Sequence, residues 1–281
     1  MHFAAIAQGQ AGLLHKHTKV YEASAPQAAG SQPMSACADK LITWNKIWRA
    51  DDLELQSLSP WMRDPACDAA LHPLDEEQIR VAALSFPVAT GLGADRMHPR
   101  IFANVDASTR SAVAVLLESV ERSILWPAQV DLLVCAMIPK SGGGDRPVFV
   151  LPSIIRHWEK AGLPLMKDWA RGMSRTYDWA AEGRSSAEAV WWQLLRAESI
   201  PDENGPEAEG LVTLLLDIVK CFDRVGLRHV WKWGIEHGMP ARLLRVILVT
   251  YAMARRISVH GSYSDSVCTV TAIVPGSPSP S

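Results

Sequence analysis

Two apolar runs stand out against a background of helical spacing: Leu132–Ile138 and Leu211–Leu216. Neither carries a charge, and both are too short for a helix of ordinary length. They read as strands, the second as one buried on both faces. Ser141-Gly142-Gly143-Gly144-Asp145 follows the first run as a turn cluster, and Arg146–Leu151 reads as its returning strand, so this stretch predicts a hairpin. Elsewhere apolar residues recur every three or four positions. Leu41–Leu55 reads as a helix with Trp44, Ile47 and Trp48 on one side. Asp75-x-x-Gln78 is a capping box that opens a helix carrying Ile79, Ala82, Ala83 and Phe86, stopped by Pro87. Ser108 is expected to cap a longer helix striped by Val113, Leu116, Leu117, Val120 and Ile124, with Trp126-Pro127 as its end. Ser153–Lys160 begins another, which Gly162 and Pro164 should close. Ser185-x-x-Glu188 caps one whose apolar face is Ala187, Val190, Trp191, Leu194 and Leu195.

After Val225 a helix is expected to stop at His237-Gly238, and Pro240 to start the next, with Leu243, Leu244, Ile247, Leu248 and Tyr251 on one face. Arg256–His260 then alternates, Gly261-Ser262 turns, and Val267–Thr271 returns. The pattern predicts an α/β chain in the α+β sense, rich in helix. Residues 1–70 read as a poorly defined N-terminal extension containing a flexible linker at Ala23–Ser35, and residues 71–281 as the principal unit.

Composition changes this picture little. The chain has 281 residues, 48% hydrophobic and 21% charged, ordinary values for a globular protein. Its net charge of −2 is not that of a strongly basic nucleic-acid binder, so such a role has to rest on local charge. Arg242, Arg245, Arg255 and Arg256 make the most basic stretch, which serves equally as a solvated helix face or as a duplex contact. Five scattered cysteines without a Cys-x-x-Cys argue against a zinc site or disulfide framework, and favour a reducing, intracellular compartment. No apolar run is long enough for a membrane span, so no membrane partner is expected.

The candidate chemistry gathers at the exit of the second strand. Asp217 ends the apolar run, and Lys220, Phe222 and Asp223 follow. Leu-Asp-x-x-Lys-x-Phe-Asp here resembles the first palm motif of reverse transcriptases, particularly those of non-LTR retrotransposons and group II introns. The hairpin is similar to the fingers hairpin of that family, with Pro-Lys, a Gly-rich tip and Arg-Pro. Thr90–Arg100 resembles the Gly-x-Asp segment that precedes the fingers, although Gly91 and Gly93 also make a plain turn. Gly183-Arg184-Ser185 resembles a Gly-Arg-Ser element, and Thr271–Ser281 the second palm motif. In that last segment the Gln is absent and Ile273 stands in place of the first Gly.

The resemblance implies right-hand polymerase fingers and a partial palm with an incomplete antiparallel sheet. It implies RNA-templated DNA synthesis by nucleotidyl transfer, with magnesium as cofactor and an RNA template, a DNA primer and dNTP as partners. Asp217, with the backbone carbonyl of Ile218, would hold the metal. Lys140 and Arg146 would grip the triphosphate, where fixed cations stabilise the charge of the leaving pyrophosphate. Phe222 would crowd the sugar 2′-carbon, and Gly276 would lie on the template side. Arg184 would touch template phosphate, or else hold its own loop.

Two-ion catalysis needs carboxylates from a second strand. No Ala-Asp-Asp follows Asp217, and Ala50-Asp51-Asp52 precedes every other motif, out of the family's order. The chain is therefore expected to be truncated before that motif and the thumb, and not to polymerise by itself. Two other readings stay open: a non-catalytic nucleic-acid-binding remnant, and a helical protein-interaction module.

Overall fold

A charge-free strand and an arginine-bearing one lie side by side at the centre of the protein. The computed structural model describes residues 33–48, 73–140, 143–179, 181–198, 216, 218–259, 261–269, 271 and 273–274. Among these the helices are α1 (Pro33–Trp48), α2 (Glu76–Leu84), α3 (Ile101–Asn104), α4 (Ala107–Ser123), α5 (Ser153–Met173), α6 (Ser186–Glu198), α7 (Cys221–Arg224), α8 (Leu227–Glu236) and α9 (Ala241–Ala252). The strands are β1 (Leu133–Pro139), β2 (Asp145–Val150), β3 (Arg255–Val259) and β4 (Ser262–Tyr263). They form one sheet in the order β2-β1-β3-β4.

The predicted hairpin is present: Val134 faces Val150 and Pro139 faces Asp145. The sheet is mixed. Its two hairpins are antiparallel, but β1 and β3 run parallel, from Leu133 opposite Arg255 to Ala136 opposite Ser258, so the sheet is not the antiparallel one expected. The returning strand after β3 is Ser262–Tyr263 rather than Val267–Thr271, of which Val267 and Thr271 make only isolated bridges. Parallel neighbours need a long crossover, and helices α5 to α9 fall within it. Alternation then gives the sheet one buried face, made by Leu133, Cys135, Phe149, Arg255, Ile257 and Val259.

Helix α1 covers that face. Trp48 is fully buried with its ring 5.9 Å from that of Phe149, and burial of such a ring is worth about 2–3 kcal/mol. Arg255 is sandwiched there, its guanidinium 5.3 Å from the Trp48 ring and 4.9 Å from the Phe149 ring, donating to the Tyr251 carbonyl at 2.6 Å. Burial brings its pKa down to about 10.

The Asp75–Gln78 capping box opens α2 as predicted. Helix α4 is capped by Asp106 rather than Ser108. The Asp106 carboxylate accepts from the Thr109 amide at 2.8 Å, and the Ser108 hydroxyl donates to it at 2.6 Å. Helix α5 does not stop at Gly162 and Pro164 but continues to Met173. Met166, beyond the proline, is buried and Trp169 packs against the core, so tertiary burial outweighs the hydrogen bond Pro164 forgoes. The basic stretch is also corrected: only Arg256 of its four arginines is exposed. Arg242 pairs with Glu121 at 3.1 Å, Arg245 is buried with its guanidinium 5.9 Å from the Trp231 ring, and Arg255 is inside the core. Face residues Leu243, Leu244, Ile247, Leu248 and Tyr251 of α9 are buried as expected.

The segment after α2 packs onto the start of α5. Asp95 accepts from the Ser153 amide at 2.5 Å, capping α5 from a distant loop, and Arg156 donates to the Gly91 carbonyl at 2.9 Å. Gly93 lies so close to β2's exit that an added Cβ would sit 2.4 Å from the Leu151 carbonyl oxygen.

Candidate functional site

The tip of the β1–β2 hairpin, the Lys220–Asp223 turn and one face of α1 converge. Lys140 directly follows β1, and its amide donates to the Gly144 carbonyl at 3.0 Å and closes the turn. Arg146 opposes Ile138 in the ladder, on the sheet face opposite to Asp145. Both cations are exposed. Asp145 instead makes an ion pair with Lys40 of α1 at 2.5 Å, each side chain 16% exposed.

Lys220 adopts a left-handed conformation, φ 52° and ψ 45°, just before α7. Its ammonium lies 3.6 Å from the centroid of the Trp44 ring, close enough for a strong cation–π contact. Burial lowers its pKa; Asp223 and Asp145 work the other way, and Lys140 adds to the lowering. Asp223 is buried and accepts from the Trp48 indole at 3.4 Å. Burial raises its pKa, against the pull of that hydrogen bond and of Lys220, Arg255 and Lys140. The charges of the hairpin tip and of the turn therefore act on one another directly, although some eighty positions of chain separate them.

Phe222 is 45% exposed, and its carbonyl accepts from the Ile273 amide at 2.9 Å. Thr271 bridges Gly226 in the same region. Thr271 and Ile273 thus lie beside residues 220–226. Ile218 is exposed, and Leu216, the one residue of the predicted second strand inside the described set, is in no strand and 82% exposed, against the expectation of burial on both faces. Asp217 and Gly276 lie outside the described residues, as do Ala50-Asp51-Asp52, the Leu211–Leu215 stretch and the linker up to residue 32.

Arg184 donates to the carbonyls of Arg175 and Asp178, the latter at 2.8 Å, and lies 6.0 Å from the Trp179 ring. That is the arrangement in which it holds its own loop. The Ser185–Glu188 capping box opens α6, but none of the described α6 side chains is buried, and Val190, Trp191, Trp192, Leu194 and Leu195 are about half exposed or more.

Among the described residues no group of three His, Cys, Asp or Glu side chains could hold a metal ion. The carboxylates nearest the cluster are engaged, Asp145 by Lys40 and Asp223 by Trp48. They do not compose a magnesium site. An apolar cavity of about 410 Å³ opens between α5, α8 and α9, lined by residues such as Met166, Trp169, Trp233 and Ile273. Its walls offer little to a charged ligand, so the cationic cluster is the better candidate for one.

The part sequence reasoning missed is Lys40. Its signal was present: Lys40, Trp44 and Trp48 are spaced i, i+4, i+8, hence one stripe of α1. Without the strand partners, nothing said that this stripe meets three ionisable groups. No helix among the described residues is long and apolar enough to cross a membrane. No protein-family model matches the chain, and no curated protein matches it significantly.

Proposed function

We propose that the chain is a reverse-transcriptase-type fingers and partial-palm unit that takes a deoxynucleoside triphosphate at the hairpin tip. One observation supports the reading above the others. Three stretches far apart in sequence, each singled out by resemblance to that family, meet around one cluster: the hairpin tip, Lys220–Asp223 and Thr271–Val274. In this reading Lys140 and Arg146 grip the triphosphate and Phe222 borders the sugar. Asp217 and the Ile218 carbonyl would hold magnesium, which would supply charge neutralisation at the phosphates. RNA template and DNA primer are the proposed macromolecular partners, with Arg184 and Gly276 on that side.

Binding is the direct test. Titration of dTTP with magnesium into the purified chain is expected to show saturable binding. Lys140→Ala and Arg146→Ala should each weaken it roughly ten-fold, the loss of one charge-assisted contact, with Tm unchanged because both side chains are exposed. Equal binding by both variants and the wild type would sink the reading. Primer extension on an RNA template is not expected, because two-ion catalysis needs further carboxylates and those nearest the cluster, Asp145 and Asp223, are engaged by Lys40 and Trp48. Template-dependent product that Asp217→Asn abolishes would overturn that expectation.

A second reading, a helical protein-interaction module, is favoured by the apolar residues α6 presents to solvent. A salt titration of RNA binding separates the two: binding that weakens as salt rises belongs to phosphate contact, and no binding at any salt belongs to the interaction module.

A further inference from the structure

The stripe Lys40–Trp44–Trp48 on α1 touches, one residue at a time, the three ionisable groups that stand between the hairpin and the turn: Asp145, Lys220 and Asp223. We infer that these three side chains are positioning residues of the nucleotide site, setting its charge and its spacing; the inference rests on the reading of that site given above. Each does a separate task. Asp145 sits at the hairpin tip, on the face opposite to Arg146 and within electrostatic reach of Lys220, where an unpaired carboxylate would repel a polyphosphate. Lys40 cancels that charge through an ion pair shielded from solvent at 2.5 Å, a setting in which Coulomb interaction is stronger than in open water. Trp44 gives the Lys220 ammonium a fixed π face at 3.6 Å, so a flexible side chain is held within electrostatic reach of Lys140. Trp48 donates to Asp223 at 3.4 Å and keeps that carboxylate turned into the core, beside Arg255.

The consequence is an assignment for a helix that sequence alone left in an ill-defined extension. Helix α1 joins the two halves of the site, with the hairpin at its middle and the turn towards its C-terminal end. Further contacts fix its height on the sheet: Cys37 donates to the Ser262 carbonyl at 3.4 Å, and the Thr271 hydroxyl to the Ile47 carbonyl at 3.2 Å. A shift of α1 along its axis would disturb all three ionisable groups together.

The experiment measures magnesium–dTTP affinity by calorimetry, with Tm recorded in parallel, for the full chain and for Lys40→Met, Trp44→Leu, Lys140→Ala and the double variant Lys40→Met with Asp145→Asn. Lys40→Met and Trp44→Leu are expected to weaken binding about three- to ten-fold each, the range of a lost cation–π or shielded charge contact. The double variant should regain most of the loss, because the repelling carboxylate is gone. A purely structural role for Lys40 predicts instead that affinity simply follows Tm across these variants. Wild-type affinity in both stripe variants, with binding lost in Lys140→Ala, overturns this inference and leaves the site standing. Binding that Lys140→Ala does not change, or no binding by the wild type, overturns the site and this inference with it. Should Trp44→Leu lower Tm sharply, Lys40→Met and its double variant decide, since Lys40 lies at the rim of the core.

Discussion

His157 shows what a single buried group does to the pH response. Its ring lies 5.4 Å from that of Phe86 and 4.5 Å from that of Phe102, with Nδ1 3.0 Å from the Ser153 carbonyl oxygen. Burial brings its pKa down from 6.5 to about 4. The unfolded chain therefore takes up a proton between those values that the folded chain refuses. The stabilisation is complete above pH 6.5 and is lost progressively as pH falls towards 4, by about 3 kcal/mol. Urea unfolding at pH 7 and pH 5 should show the drop, and His157→Leu should flatten the slope between them. Gly93 gives a second residue-scale prediction. A methyl there meets backbone rather than a yielding side chain, so Gly93→Ala should cost about 2 kcal/mol or more in the same measurement.

At the scale of elements, the parts of the sequence that repeat a simple period were legible. The β1–β2 hairpin, the Asp75 and Ser185 capping boxes and the buried face of α9 follow from spacing alone. Choices between near-equal local signals were not. Asp106 and Ser108 both suit a helix start, and the carboxylate prevails because it collects the Thr109 amide and the Ser108 hydroxyl together. Pro164 is a sound stop signal locally, and only the tertiary burial of Met166 carries α5 past it. The arginines of α9 read as surface because their partners lie far along the chain. Arg242 meets Glu121 of α4, which also accepts from the Trp158 indole at 2.8 Å, and burial raises the pKa of that carboxyl. Arg242→Met should destabilise the fold by about 3 kcal/mol, because the carboxylate it leaves is buried. Thermal unfolding checks this, with the deficit shrinking in mild acid as Glu121 takes up a proton.

For the whole molecule, charge is the deciding quantity. With net charge −2 and three of the four clustered arginines committed to the interior, few cations remain in that stretch to meet phosphate. Any RNA binding should therefore depend only modestly on salt, with a slope of log affinity against log salt smaller than about 3 in magnitude. A filter-binding series from low to moderate salt measures it. A steeper slope would mean a basic surface built from residues other than these. The candidate site was legible as separate motifs; the sequence could not show that Lys40 closes the circuit between them, because an ion pair between positions 40 and 145 leaves no local trace.

The parallel pairing of β1 with β3 also bears on how the protein comes into being. During synthesis the β1–β2 hairpin leaves the ribosome long before Arg255, the partner of Leu133, has been made. Until then the Leu133 edge has no neighbour. An unpaired strand edge invites the wrong partner, and a sheet closed by distant pairing forms slowly. Nascent chains halted before residue 255 should accordingly be the ones that chaperones hold and that aggregate when released.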